Sequence, residues 1–108
     1  MLDLLIINNR PFESRLLVGT GKFSSPQVMK ESIESSGSEI ITVALRRSDL
    51  SSPEDPFTST ISPDKYLFLP NTSGARTAEE AIRLAKLGKA SGVSSWVKLE
   101  VTPEPNYL

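Results

Sequence analysis

Two stretches of this chain are apolar at nearly every position: Ile40-Ile41-Thr42-Val43-Ala44-Leu45 and Tyr66-Leu67-Phe68-Leu69. A strand with one wet face alternates apolar and polar residues. A strand without alternation has both faces covered, which is the situation of a parallel sheet under helices. The segments around these runs carry helix signals. After a shorter run, Leu16-Leu17-Val18, a Ser25 N-cap precedes Pro26, and Gly37 lies where a C-terminal cap is expected. Val28, Met29 and Ile33 form the apolar face of that helix. Thr77 and Glu80 have capping-box spacing, and Ala78, Ala81, Ile82 and Ala85 line one face up to a stop at Gly92. Trp96-Val97-Lys98-Leu99-Glu100-Val101 reads as a last strand, ended by Pro103 and Pro105.

Strands that alternate with helices form parallel βαβ units with right-handed crossovers. Ahead of them, residues 1–15 read as a hairpin: Leu4-Leu5-Ile6-Ile7 runs out, Asn8-Asn9-Arg10-Pro11 has turn composition, and Phe12 begins the return. Residues 48–64, rich in Ser, Pro and acids, are a long connection with room for one helical turn. The pattern stops just after its fourth strand, with no covering helix, whereas a closed eight-stranded α/β barrel takes about 250 residues. The expected fold is therefore α/β: a small open parallel sheet, or the first half of something larger, with residues 1–15 as its hairpin and residues 16–108 as its first four strands.

Composition narrows the chemistry. The 108 residues contain neither cysteine nor histidine, which excludes disulfides, thiol catalysis, imidazole ligation and a Ser-His-Asp triad. Twelve Lys and Arg against thirteen Asp and Glu leave a net charge of −1, without the basic excess that grips nucleic acid. The apolar runs are too short to span a membrane, and Met1-Leu2-Asp3 lacks the basic start of a signal peptide, so the expected location is cytoplasmic. Gly19-Thr20-Gly21-Lys22 fails as a nucleotide motif. Position 24 is Ser where a dinucleotide fingerprint needs its third Gly, and Phe23 follows Gly21-Lys22 where a P-loop needs Ser or Thr.

Each expected strand ends in residues that make poor core: Gly19-Thr20-Gly21-Lys22, Arg46-Arg47, Asn71-Thr72-Ser73-Gly74, and Lys98 with Glu100. Ligands of parallel α/β sheets bind at these carboxyl ends. Of Arg46 and Arg47, at most one side chain can face a given anion, because neighbours in a strand point to opposite faces. In the last strand Val97, Leu99 and Val101 share the face suited to helices, which turns Trp96, Lys98 and Glu100 inward. The Cα atoms of Lys98 and Glu100 then stand roughly 6.6 Å apart. Two readings of this pair remain open. It is an internal or edge salt bridge, or burial gives Lys98 a neutral amine that attacks a carbonyl to form an imine, with Glu100 moving protons.

Several long blocks resemble bacterial and plastid thiazole synthase. They are Arg15-Leu16-Leu17-Val18-Gly19-Thr20-Gly21-Lys22-Phe23, Ala44-Leu45-Arg46-Arg47, Leu69 through Ala81, and Trp96 through Val101. They occur in the family's order across essentially the whole chain. The resemblance implies that these residues are the N-terminal half of a (β/α)8 barrel enzyme of thiamine biosynthesis. Such an enzyme condenses 1-deoxy-D-xylulose 5-phosphate with dehydroglycine and a sulfur atom delivered as a thiocarboxylate on a small ubiquitin-like sulfur carrier protein. It also implies that Lys98 forms the imine, that Glu100 is the nearby acid, that no metal or organic cofactor takes part, and that the protein is a homo-oligomer. The family's second carboxylate and its phosphate-binding loops are expected beyond Leu108, so the 108 residues alone are expected not to turn over. Other readings are a different Schiff-base barrel of the class I aldolase kind, and a non-catalytic binding or assembly module.

Overall fold

The computed structural model describes residues 3–45, 60–92, 94–104 and 106. Arg46, Arg47 and most of the connection expected over 48–64 lie outside the described residues. The chain opens with an antiparallel hairpin of β1 (Leu5–Ile7) and β2 (Arg10–Phe12), paired Leu5 to Phe12, Ile6 to Pro11 and Ile7 to Arg10. The turn is shorter than the composition of Asn8 to Pro11 suggested, and the return begins at Arg10 instead of Phe12. Asn8 and Asn9 alone make it, at φ of 50° and 62°, the positive values that a two-residue hairpin loop requires and that Asn tolerates. Pro11 then falls at a pair that exchanges no ladder bonds, where its missing N–H costs nothing.

Three parallel strands follow in the order β3 (Leu17–Val18), β4 (Ile40–Ala44) and β5 (Leu67–Asn71). Helix α1 (Pro26–Ser36) connects the first two. The Ser25 hydroxyl accepts the Val28 N–H at 3.1 Å, and Gly37 ends the helix at φ 71°, a conformation that favours glycine. Helix α2 (Ala78–Ala90) leaves β5 through a Thr77 cap that accepts the Glu80 N–H. The Glu80 carboxylate closes the box one residue early, on the Arg76 N–H at 3.1 Å. The buried face of α2 is Ala81 and Gly88, with Leu84 and Ala85 partly covered, while Ala78 and Ile82 face outward. An added Cβ on Gly88 would lie 3.1 Å from both methyls of Leu45, so the helix lies against the end of β4 at a distance only a small residue permits. On α1 the buried residues are Met29 and Ile33, and Val28 is exposed.

The sheet has two differently covered faces. On one, Ile41, Val43 and Phe68 pack with Met29 and Ile33 of α1 and with Ile61. On the other, Ile40 and Leu67 pack with Phe12 of the hairpin, joined by Leu5, Leu69 and Trp96. Glu39 fastens the hairpin's exit, its Oε1 accepting the N–H groups of Glu13 and Ser14 at 2.7 Å each. The hairpin therefore plugs the end of the sheet where the strands begin, leaving the end where they finish open.

The fourth strand expected over 96–101 is reduced to a single parallel bridge, Asn71 to Lys98. The Lys98 N–H bonds the Pro70 carbonyl at 2.8 Å and the Thr72 N–H bonds the Lys98 carbonyl at 3.2 Å. Two features of β5 stop the ladder there. Pro70, which the sequence placed after the strand, lies within it. A strand residue presents N–H and C=O to the same edge, so Pro70 lacks the donor that would extend the pairing toward Trp96. At the other end the Thr72 carbonyl closes a turn by accepting the Ala75 N–H at 3.1 Å, and the Glu100 N–H goes to the Thr72 hydroxyl instead.

Candidate functional site at the carboxyl ends of the strands

An open cavity of about 390 Å³ lies at the carboxyl ends of β3, β4 and β5, lined by Gly19, Thr20, Gly21, Thr42, Ala44, Asn71 and Ser73. Its walls are two glycines, the hydroxyl residues Thr20, Thr42 and Ser73, the Asn71 amide and Ala44. Two of the hydroxyls are held in place: Thr20 Oγ1 donates to the Thr42 carbonyl at 3.1 Å and Thr42 Oγ1 donates to the Val18 carbonyl at 3.4 Å. The Asn71 side chain accepts the Ser73 N–H at 3.1 Å, which turns the loop away from the strand end. Among the clusters singled out in the sequence, Gly19-Thr20-Gly21 and Asn71 with Ser73 thus meet at one place, although they lie some fifty residues apart.

Neither Lys98 nor Glu100 lines this cavity; backbone register sets Lys98 beside it. Residues paired across parallel strands leave the sheet on the same face. Asn71 is paired with Ala44 on one side and with Lys98 on the other. Ala44, Asn71 and Lys98 therefore form a row across the cavity's face, with Thr42 and Leu69 one step below. Lys98 Nζ lies 3.6 Å from Glu100 Oε1, so both side chains are on the same side. Trp96, one step toward the plugged end, meets Phe12 edge to face, with ring centroids 6.2 Å apart at 89°.

The dry surroundings expected for Lys98 are absent. Its side chain is 54% exposed and that of Glu100 is 32% exposed. The physical reason is that, among the described residues, only one short bridge carries this edge. Val97, Leu99 and Val101, expected to meet helices, are exposed as well. Thr72, grouped in the sequence with the strand-end residues that make poor core, behaves differently. It is fully buried, and its hydroxyl both accepts the Glu100 N–H and donates to the Glu100 carbonyl, each at 2.8 Å. Its signal was the short polar run after β5, in which a β-branched hydroxyl residue can turn inward while its neighbours face solvent.

These observations define a class: an α/β unit of parallel strands, plugged at one end by a hairpin, with a polar site at the strands' carboxyl ends. Comparison with known proteins narrows it. A family model described as "Thiazole biosynthesis protein ThiG" matches residues 6–108. A thiazole synthase of Syntrophobacter fumaroxidans is 62% identical over 104 residues, covering 96% of this chain and 41% of that protein. "Thiazole synthase 2" of Syntrophotalea carbinolica is 60% identical over 107 residues, 99% of this chain and 42% of that protein. A thiazole synthase of Moorella thermoacetica is 46% identical over 108 residues, 100% of this chain and 42% of that protein. The chain belongs to the thiazole biosynthesis protein ThiG family, and it spans about two fifths of the length of these relatives. Among the described residues no helix is long and apolar enough to cross a membrane.

Proposed function

We propose that this chain is the N-terminal part of a thiazole synthase, in which Lys98 forms an imine with the ketone of 1-deoxy-D-xylulose 5-phosphate. The Lys98 amine adds to the carbonyl carbon, and loss of water leaves the C=N bond. Glu100, 3.6 Å away, exchanges the protons that this dehydration and the following enolisation require. Dehydroglycine and sulfur from a thiocarboxylated ubiquitin-like carrier then complete the thiazole phosphate. The strands continue the same way round into a (β/α)8 barrel in a cytoplasmic, homo-oligomeric protein. The strand order supports that continuation: β3, β4 and β5 step in one direction, as in a singly wound barrel, without the reversal of a doubly wound sheet.

The observation that carries the reading is the row Ala44, Asn71, Lys98. It sets an amine and its acid partner beside a hydroxyl-lined cavity at the end of the strands where α/β enzymes hold substrates. As a salt bridge the pair is largely exposed and contributes about 0–1 kcal/mol. The match over residues 6–108, to relatives named thiazole synthases, favours thiazole formation over an aldolase or a binding module. The test is product formation by the whole protein with ketose phosphate, a dehydroglycine source and carrier. The expected result is a thiazole phosphate that requires the thiocarboxylated carrier and is absent with Lys98→Ala. Cleavage of the ketose phosphate without carrier would indicate an aldolase instead.

A further inference from the structure

We infer that Thr72 is a positioning residue for the Lys98–Glu100 pair, holding the acid's backbone through its buried hydroxyl; this rests on the imine reading above. Three contacts join residue 72 to the segment that carries the pair. Its N–H bonds the Lys98 carbonyl at 3.2 Å, and its hydroxyl both accepts from the Glu100 N–H and donates to the Glu100 carbonyl at 2.8 Å. A regular parallel ladder would use the Thr72 carbonyl for the Glu100 N–H, but that carbonyl is engaged by the Ala75 N–H. The hydroxyl stands in for it.

Trp96, packed on Phe12, holds the start of the segment, and the clamp holds it at Glu100. Pro70 removes the donor toward Trp96, leaving the Asn71–Lys98 bridge as the only strand pairing that residues 96–101 make among those described. Val97, Leu99 and Val101 are exposed and add little packing. Past the clamp, one further backbone bond, Thr102 N–H to the Ala75 carbonyl at 2.7 Å, returns the chain to the same turn. Thr72 comes directly after Asn71, the last residue of β5; it is fully buried and is not among the residues that line the cavity. It cannot touch a ligand there. Its effect must pass through the position of Glu100, and therefore through proton transfer to and from the Lys98 imine.

The functional test uses the whole protein carrying this chain, unsubstituted and as Thr72→Val and Thr72→Ser. Imine formed with the ketose phosphate is trapped by borohydride over a range of substrate concentrations. Thr72→Val is expected to slow trapping at saturating substrate about tenfold to a hundredfold, the scale of a misplaced catalytic group, with half-saturation unchanged. Thr72→Ser, which keeps the hydroxyl, is expected to recover most of that rate. A Thr72→Val rate within twofold of the unsubstituted protein, a change confined to half-saturation, or a loss that Ser does not recover overturns the assignment.

Amide exchange in the unsubstituted protein gives a second test that needs neither variant to fold. The Glu100 N–H is expected to exchange as slowly as those of β4, and exchange at the rate of an open loop overturns the assignment whatever Lys98 does. Absence of any Lys98 adduct in the unsubstituted protein instead overturns the imine reading, whatever the Glu100 amide does.

Discussion

Removing the ring of Phe12 is the most informative test of how the hairpin supports the site. Phe12 is 1% exposed and packs against Ile40 and Leu67 at the start of β4 and β5, with Leu5, Leu69 and Trp96 around it. Truncation of a buried Phe to Ala costs about 3–5 kcal/mol. Of this, the edge-to-face pairing with Trp96 accounts for about 0.5–1.5 kcal/mol beyond area burial. Because the hairpin can settle partly into the space, Phe12→Ala is expected near the lower end, about 3 kcal/mol. Phe12→Leu keeps most of the volume and loses the aromatic pair, so about 1–1.5 kcal/mol is expected. Equilibrium urea unfolding followed by tryptophan emission is the assay, since Trp96 is the single tryptophan of the 108 residues and stands against the altered ring. A loss below about 1 kcal/mol for Phe12→Ala, or native Trp96 emission unchanged by it, would refute the view that the hairpin is a plug.

Three further outcomes follow from particular contacts. Lys98→Ala should change stability by no more than about 1 kcal/mol, because its ion pair is largely exposed, and Lys98→Arg should be as inactive as Ala, because a guanidinium is effectively never neutral; urea unfolding beside product assays checks both. Ser38→Ala should cost about 1–2 kcal/mol in the same unfolding assay, since the buried Ser38 hydroxyl lies 2.6 Å from the Leu16 carbonyl and 2.9 Å from that of Ile40. Thr77→Ala should cost about 1 kcal/mol through loss of the α2 cap, with Thr77→Ser restoring most of it on thermal or urea unfolding.

The local signals that proved readable were those decided within a few residues. Ser25-Pro26 with Gly37, and Thr77 with Glu80, report caps whose hydrogen bonds close inside one turn, and both helices begin where those signals stand. The unbroken apolar run of β4 reports burial on both faces, a property of the strand itself. The shared side of Lys98 and Glu100 follows from alternation alone. What was not readable depends on partners distant in sequence. Pro70 looks like a terminator until the edge its missing donor faces is known. The length of the last strand depends on Thr72 and Pro70 in its neighbour, and the exposure of Lys98 depends on what lies across the sheet from it. The small size of Gly88, which allows α2 to approach Leu45, has meaning only once that neighbour is known. The hydroxyl-lined cavity draws on three strand ends, and no single block of sequence announces it.

The most direct measurement is borohydride reduction of the whole protein in the presence of 1-deoxy-D-xylulose 5-phosphate, followed by peptide mass mapping. If Lys98 is the imine-forming amine, the peptide containing Lys98 carries the mass of the reduced sugar adduct and Lys98→Ala carries none. An adduct confined to another lysine, or an unmodified Lys98 peptide while thiazole phosphate is still formed, would contradict it.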